Sequence, residues 1–282
     1  MNPQGGPPSR SGSGAELPDR LLAGVGAALA RSVGLSLAGG LRGPLRLAVK
    51  AAALELGLSA AELAAAAEAG DGPALEVLAE HAVIGETSLW RHPEGLAVLA
   101  AELAAGEHPL RLWSAGCATG EEPYSLALAL LDAGRDRDED RILGTDVSAR
   151  ALAVARAGVY GARATRRLPP ALAERWFLAT GEGARVDSRL GRRVVFERHN
   201  LLDRPPGERF DAVVCRNVLI YFEEEVAAAT LARLAGAVAP GGYLLLGPVE
   251  LPLAGGLGFD WLERGGATLL RRPGPGEAVR AP

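Results

Sequence analysis

The 282-residue chain has few of the features that mark extracellular or membrane proteins. Its two cysteines, Cys117 and Cys215, both lie in apolar segments, and no secretory signal precedes them. A disulfide framework is therefore excluded, and a reducing cytoplasmic location is expected. Glycine, proline or charged residues interrupt every apolar run before it reaches the roughly 18 residues that a membrane span requires.

Histidine and excess positive charge are also scarce. The chain has four histidines, and their positions show no metal-ligand spacing, so no metal site is expected. The 30 basic and 34 acidic residues nearly balance, with a formal net charge of −4. This excludes the positive field that drives non-specific binding of nucleic acid.

The composition changes along the chain and predicts its domains. Residues 1–15 and 273–282 are rich in glycine, proline or serine, which is typical of disordered tails. Over residues 16–93, alanine and leucine recur at three- and four-residue spacing, which predicts a small helical domain. Pro44 suits the first turn of a helix, and Ser59 with Glu62 forms a capping box. A linker helix is expected over residues 94–108.

From residue 109 to 272, short apolar runs alternate with amphipathic helices. The runs are LRLWSAG, RILGTDVS, FDAVVCRN and GGYLLLG. This pattern predicts an α/β domain with a doubly wound, mostly parallel sheet. Short alternating segments interrupt it over residues 178–200. At the end of the domain, Gly265 and Gly266 indicate a hairpin, with an antiparallel final strand at the sheet edge.

Two features predict a nucleotide at the carboxyl ends of the strands. The first strand ends in SAGCATG, whose small residues allow the backbone to approach a ligand closely. Asp146 ends the second strand, where a carboxylate can accept both ribose hydroxyls. Alternatively, the glycines serve packing, and Asp146 or Ser148 caps the next helix. Since the turn lacks G-x-G-x-x-G, one adenosine-bearing cofactor is favoured over NAD.

Three ordered motifs carry a resemblance to a known family: SAGCATGEEPYSLALAL, GTDVSARALAVARAGVY and FDAVVCRNVLIYF. They closely resemble the CheR family of chemotaxis-receptor glutamate methyltransferases. The resemblance extends to GETSLWR upstream and GGYLLLGPVE downstream, over about residues 20–272. It implies a class I S-adenosyl-L-methionine-dependent methyltransferase fold, with the helical domain at the N-terminus and residues 178–200 forming an inserted antiparallel β subdomain. The implied product is S-adenosyl-L-homocysteine.

The resemblance implies cofactor contacts in the first half of the site. Thr87 and Arg91 would come from the helical domain, and Gly116 lies in the turn after the first strand. Glu122 and Asp146 would hold the amino-acid and ribose portions. Arg91 would also be catalytic, holding either the cofactor carboxylate or the incoming glutamate by bidentate pairing.

The resemblance implies a second group of residues further along the chain. Asn200 and Leu201 would line the adenine. Arg216 and Asn217 would border the methyl donor, and Tyr221 would be the catalytic hydroxyl that orients the substrate. The chemistry needs no general base, since a glutamate with a pKa of about 4.3 is ionised at neutral pH.

Several of these residues have alternative interpretations. Arg91 could be a surface cation paired with Glu94, Tyr221 and Phe222 could be core aromatics, and Asn200 could be a turn residue. At the level of function, the alternatives are a non-catalytic S-adenosylmethionine-binding signalling adaptor and a class I methyltransferase of another substrate. The family commonly has asparagine where this chain has Gly85.

The expected partner is the cytoplasmic helical bundle of a chemoreceptor, bound by a monomer without nucleic-acid contact or membrane insertion. Docking is expected through the helical domain, including Arg46 and Lys50. The family members that bind a receptor tail peptide have a lengthened loop in the inserted subdomain. Here only LATGEGAR separates Phe177 from Val186, which resembles the short version.

Overall fold

A computed structural model describes residues 18–36, 42–83 and 85–279. The tail expected over residues 1–15 lies outside the described residues, as does the end of the C-terminal tail. The α-helices are α1 Asp19–Val33, α2 Arg42–Leu56, α3 Ala60–Glu68, α4 Gly72–Ala82, α5 Pro93–Ala104, α6 Glu121–Asp132, α7 Ala149–Ala157, α8 Ala162–Thr165, α9 Pro170–Trp176, α10 Ser188–Gly191 and α11 Glu224–Ala237. The strands are β1 Arg111–Ala115, β2 Arg141–Asp146, β3 Val159–Tyr160, β4 Phe177–Thr180, β5 Gly183–Val186, β6 Val194–Arg198, β7 Phe210–Cys215, β8 Val238–Leu246, β9 Asp260–Arg264 and β10 Ala267–Arg271.

Helices α1 to α4 form the helical N-terminal region that the sequence predicts. The capping box is present, because Ser59 accepts from the Glu62 N–H and the Glu62 side chain accepts from the Ser59 N–H. Small and aliphatic side chains pack together in the core of this helical region, where Val25, Leu63 and Leu78 are fully buried. None of the helices in the described ranges has the length and apolarity needed to cross a bilayer.

The large sheet has the strand order β6-β2-β1-β7-β8-β10-β9 in the described chain. The five neighbouring strands β6, β2, β1, β7 and β8 are parallel. Strands β10 and β9 follow at one side of the sheet and pair in antiparallel fashion. This confirms the predicted doubly wound, mostly parallel fold. The chain order reverses between β1 and β7, and a crevice at such a switch point is the usual ligand site of open α/β sheets.

The small antiparallel sheet is also present, but its bounds differ from the expected residues 178–200. It consists of β3, β5 and β4, so it spans residues 159–186. Strand β6 instead joins the large sheet, parallel to β2. As an edge strand, β6 buries Val194 and Phe196 and exposes Val195. That alternation is the same as in an antiparallel strand, so the sequence pattern could not separate the two.

The final strand is antiparallel, as expected, but the prediction that it lies at the sheet edge is wrong. Gly265 and Gly266 both have positive φ and form the hairpin turn. The turn returns β10 between β8 and β9. Both Leu269 and Leu270 on β10 are fully buried, whereas Trp261 on β9 is only partly buried. Burial on both faces identifies β10 as the interior strand.

The helical region contacts the sheet domain at the carboxyl ends of the strands. Glu80 on α4 accepts hydrogen bonds from the Ser148 hydroxyl and the Ala149 N–H at the start of α7. The Asn200 amide donates to the Ser32 carbonyl oxygen near the end of α1, at 2.7 Å. The two domains therefore meet at the edge where a ligand is expected.

At the opposite end of the strands, a buried ion pair joins two connections of the sheet domain. The guanidinium of Arg135 binds the Asp140 carboxylate at 2.7 and 2.9 Å, with side chains that are 1% and 3% exposed. Arg135 also donates to the Leu103 and His108 carbonyl oxygens, and Asp140 accepts from the Leu110 N–H. The pair thus fixes the approach to β1 and the approach to β2 together.

We expect Asp140→Ala to lower the free energy of unfolding by about 3–5 kcal/mol, because it leaves a buried guanidinium without its counter-charge. Denaturant unfolding followed by tryptophan fluorescence, to which the buried Trp113 contributes, measures this change. Arg192→Ala is the control, since it removes an exposed ion pair with Asp138. That variant should lose less than about 1 kcal/mol. Equal losses in the two variants would show that the buried pair has no special role.

Candidate functional site

A cleft lies between the helical region and the carboxyl ends of β1, β2 and β7. The empty space in and above it, which includes open solvent at its mouth, is about 1060 Å³. All ten residues that the sequence predicts for the site line it, namely Thr87, Arg91, Gly116, Glu122, Asp146, Asn200, Leu201, Arg216, Asn217 and Tyr221. The fold thus brings the predicted residues together, while the role of each stays a prediction.

The turn after β1 requires glycine at two positions. Gly116 has φ of +77°, and a Cβ there would lie 2.6 Å from Cγ2 of Val218. Gly120 has φ of +90°, and a Cβ there would lie 2.7 Å from the Ala155 Cβ. Side chains would therefore be both strained and obstructed. The glycines thus serve packing, and Gly116 also lines the cleft, while the close approach of a ligand to this turn stays a prediction.

Asp146 connects the ends of β1 and β2. Its carboxylate accepts from the Ala118 N–H at 2.8 Å and from the Ser148 N–H at 2.9 Å. Burial raises the pKa of this carboxyl, and the two backbone hydrogen bonds act in the opposite direction. Helix capping belongs to Ser148, whose hydroxyl accepts from the Ala151 N–H. Asp146 is therefore not the capping residue of α7, and it lines the cleft.

Glu122 and Arg216 are partners of each other. The Glu122 carboxylate accepts from Arg216 Nε at 2.7 Å and from the Ser114 hydroxyl at 2.8 Å. Arg216 Nη1 donates to the carbonyl oxygens of Arg91 and His92, both at 3.0 Å. Sequence reasoning treated these residues as separate cofactor contacts. The structure shows that Arg216 also holds the segment that carries Arg91.

The segment around Arg91 has an unusual backbone. Trp90 and His92, on either side of it, have φ of +60° and +48°. Left-handed conformations cost about 1–3 kcal/mol at non-glycine residues and persist only where the surroundings impose them. On one side of Arg91, the Trp90 N–H donates to the Ser125 hydroxyl at 2.9 Å. On the other side, the Arg216 guanidinium binds the His92 carbonyl oxygen. Arg91 is half-buried and donates to the Glu86 carbonyl oxygen at 3.0 Å.

The loop after β7 belongs to the sheet domain and also contacts the helical region. It spans residues 216–222 and includes Asn217, which has φ of +61°. The Tyr221 side chain is half-buried and packs against the core of the helical region. Its carbonyl oxygen accepts from the Ser36 N–H at 2.6 Å. Tyr221 is therefore both a packing residue and part of the wall of the cleft.

Asn200 also combines two of its possible roles. Its side-chain oxygen accepts from the Leu202 N–H at 3.0 Å, and its carbonyl oxygen accepts from the Asp203 N–H at 2.9 Å. This is the turn interpretation. The same residue lines the cleft and binds the end of α1 through its amide nitrogen.

Sequence reasoning missed several residues in and near the cleft, among them Val33, Leu35, His199 and Glu250. Val33 and Leu35 at the end of α1 form part of the wall, and only the docking of the domains places them there. His199 also lines the cleft, where burial lowers its pKa and its ring packs edge-on against Trp113. Glu250 lies behind the loop after β7 and is fully buried. A carboxylate four residues after the end of the apolar run of β8 was the available signal for Glu250.

The residues of the cleft fit S-adenosylmethionine. Asp146 offers carboxylate oxygens for the ribose hydroxyls, and its negative charge suits a cofactor with a positively charged sulfur. Apolar side chains suited to a purine ring lie on the same walls, namely Val33, Leu35, Val147, Leu201 and Phe222. Glu122 and Arg91 supply opposite charges at one side for the amino-acid portion. These are the residues that would hold the cofactor.

The doubly wound sheet, the glycine turn after β1 and the carboxylate after β2 define a class I S-adenosylmethionine-dependent methyltransferase fold. The family model for the S-adenosylmethionine-binding domain of CheR methyltransferases matches residues 85–252. The chain belongs to the CheR methyltransferase family. S-adenosylmethionine is the cofactor of that domain.

The chain resembles curated relatives from several bacteria. It is 37% identical to the chemotaxis protein methyltransferase of Vibrio parahaemolyticus, over 64% of this chain and 70% of that protein. It is 43% identical to chemotaxis protein methyltransferase 1 of Pseudomonas aeruginosa, over 52% of this chain and 57% of that protein. It is 38% identical to the "Probable biofilm formation methyltransferase WspC" of Pseudomonas putida, over 65% of this chain.

The match spans only part of some relatives. It covers 46% of the Pseudomonas putida protein and 20% of an uncharacterised 104.1 kDa protein of Rhodobacter capsulatus. Among solved structures, the chain is similar to magnesium protoporphyrin IX methyltransferase from Synechocystis PCC 6803 with bound S-adenosylmethionine, at 19% identity and a TM-score of 0.39. That likeness covers 72% of this chain and 84% of the other and concerns the fold alone.

Asp146→Ala should weaken binding of S-adenosylhomocysteine by about 1–3 kcal/mol, as for the loss of a hydrogen bond to a charged group. Isothermal titration calorimetry measures the affinity. The control is Glu197→Ala, because Glu197 is an exposed carboxylate on the neighbouring strand β6. Unchanged affinity in the Asp146 variant would contradict its assignment to the ribose.

Proposed function

We propose that this protein transfers a methyl group from S-adenosylmethionine to the side-chain carboxylate of glutamate residues on a chemoreceptor. The observation that supports this most is the position of Arg91 and Tyr221. One comes from the segment that follows the helical region and the other from the sheet domain, and both line the cleft that contains Asp146. A guanidinium and a phenol are suited to bind and orient a carboxylate.

Methyl transfer to a glutamate carboxylate requires little proton transfer by the protein. A glutamate side chain with a pKa of about 4.3 is already anionic at neutral pH, so no general base is required. The cofactor supplies a methyl group on a positively charged sulfur. The tasks left to the chain are to hold the carboxylate in line, by Arg91 and Tyr221, and to exclude water. A half-buried cleft with apolar walls suits a reaction in which opposite charges are neutralised.

Docking on the receptor through α2 is the second part of the proposal. Leu47, Lys50 and Leu54 lie three and four residues apart on one exposed face of α2, where Leu47 is 69% and Leu54 is 83% exposed. A face with apolar side chains around a cation suits an acidic amphipathic helix. Arg46 is less available than the sequence suggests, because its guanidinium binds Asp19 on α1 and is 23% exposed.

The small sheet supports the preference for the helical face over a tail peptide. Only Gly181 and Glu182 connect β4 to β5, and β4 is four residues long. A short hairpin offers few backbone groups for an added strand, so a peptide would gain little affinity there. The proposal includes the cytoplasmic location expected from the sequence, where the helical bundle of a receptor would be met.

Tyr221→Phe should lower the rate of receptor methylation about 10- to 100-fold, the loss expected for a hydrogen bond to a charged group. Affinity for S-adenosylhomocysteine should change much less. Transfer of labelled methyl groups to receptor-containing membranes measures the rate, and calorimetry measures the affinity. Tyr243→Phe is the control, because its hydroxyl contacts Glu102 rather than the cleft. A Tyr221 variant with normal turnover and weak cofactor binding would refute the assignment.

Lys50→Glu should reduce receptor binding and methylation, and added salt should reduce them in the wild type, since exposed charges are screened beyond about 8–10 Å. Lys50 is preferred to Arg46 because reversal at Arg46 would also disturb the contact between α1 and α2. Arg185→Glu on β5 is the matched control on the competing surface. The measurement is a pull-down with receptors that have or lack the C-terminal tail. Binding that needs the tail and tolerates Lys50→Glu would reverse the proposal.

A further inference from the structure

We infer that Glu250 is a positioning residue that sets the conformation of the loop at residues 216–222, which carries Arg216, Asn217 and Tyr221 to the cleft. Its effect on catalysis rests on the proposed function, whereas its effect on the loop does not. Glu250 does not itself line the cleft. It lies behind the loop, so it acts through the backbone and not on the substrate.

Both oxygens of the Glu250 carboxylate are occupied by backbone groups. Oε1 accepts from the Val218 N–H at 2.8 Å and the Leu219 N–H at 2.9 Å. Oε2 accepts from the Asn217 N–H and the Gly247 N–H, both at 2.9 Å. Three consecutive amides therefore converge on one side chain, which replaces the hydrogen bonds that a helix or a strand would supply.

The backbone at Asn217 explains why such an acceptor is needed. Its φ of +61° turns the chain sharply directly after β7, so the amides of residues 217–219 point to one side. In a buried setting they would be left unpaired at a cost comparable to lost hydrogen bonds. Glu250 is fully buried, and four N–H dipoles directed at a carboxylate compensate its charge in the absence of water.

The fit of the carboxylate also constrains the end of β8. A Cβ at Gly247 would lie 2.5 Å from Glu250 Oε2 and 3.3 Å from the Asn217 N. Any side chain at this position would displace the carboxylate. Gly247 and Glu250 thus act as one unit on the loop.

The arrangement requires a carboxylate and not merely a polar side chain of the same shape. Glutamine has one acceptor oxygen, and its NH2 group would face two N–H donors whichever way the amide is oriented. The Glu250→Gln variant therefore removes acceptors with almost no change in volume. This makes it a sharper probe than alanine, which would also create a cavity.

The first measurement is hydrogen–deuterium exchange of the full chain. In Glu250→Gln, the amides of residues 217–219 should exchange at least tenfold faster, while those of β1 and β7 keep their protection. Asp211→Asn is the matched control at the opposite end of β7, where the carboxylate accepts from the Arg111 N–H at 2.8 Å. That variant should leave exchange at residues 217–219 unchanged, and at Arg111 an asparagine can keep the hydrogen bond through its amide oxygen while its NH2 group faces the His108 ring.

The second measurement is kinetic. In the Glu250→Gln variant, kcat for receptor methylation should fall at least tenfold, with a smaller change in affinity for S-adenosylhomocysteine. Tyr221→Phe should then add little further loss in that background, because the hydroxyl is already misplaced. Fully additive losses, with unchanged exchange at residues 217–219, would overturn the inference. So would an equal increase in exchange at every amide, which indicates general destabilisation.

Gly247→Ala provides a second route if the glutamine variant does not fold. The added methyl group should displace the carboxylate and accelerate exchange at residues 217–219 in the same pattern. Protection that stays at the wild-type level in this variant would count against the inference. If the wild type does not methylate receptors, the proposed function fails, while the exchange results still decide the role of Glu250.

Discussion

The site depends above all on the hydrogen bonds of one guanidinium. Arg216 follows β7, binds the Glu122 carboxylate on α6, and donates to the carbonyl oxygens of Arg91 and His92. It thereby joins a strand end, the helix after β1 and the segment that follows the helical region. Its side chain is 7% exposed and that of Glu122 is 12% exposed, so water competes little for these hydrogen bonds. Together with the hydrogen bond from the Trp90 N–H to the Ser125 hydroxyl on α6, this guanidinium holds the Arg91 segment against the sheet domain.

The strain in the backbone shows how much the surrounding contacts impose. In the described part of the chain, the non-glycine residues with positive φ are Trp90, His92, Ala118 and Asn217. Each of them lines the cleft or adjoins Arg91. Conformations of this kind are stable only where hydrogen bonds and packing outweigh their cost. At the cleft, buried polar side chains meet that condition, since Arg216, Ser125, Asp146 and Glu250 bind the strained segments.

Local patterns were enough to predict the order of elements and most of the cleft. Strand alternation, the glycine turn and Asp146 are features of neighbouring residues, and the family resemblance supplied the rest. Edge and interior strands were harder, because the alternation of β6 fits either sheet, and the two adjacent leucines of β10 are a short local sign of burial on both faces. The contributions of Val33 and Leu35 depend on how two domains dock. The partnership of Glu122 with Arg216, 94 residues apart, likewise has no local signal.

A cleft assembled from two domains has a further physical consequence. The sheet domain supplies the carboxylate at the end of β2, and apolar side chains at the end of α1 complete the cleft. The contact between Ser36 and Tyr221 and that between Ser32 and Asn200 place the end of α1 on the loops that border the cleft. A sheet domain alone would expose these loops to water and weaken each charge interaction in the cleft. Domain docking is therefore part of the site itself and not only a support for it.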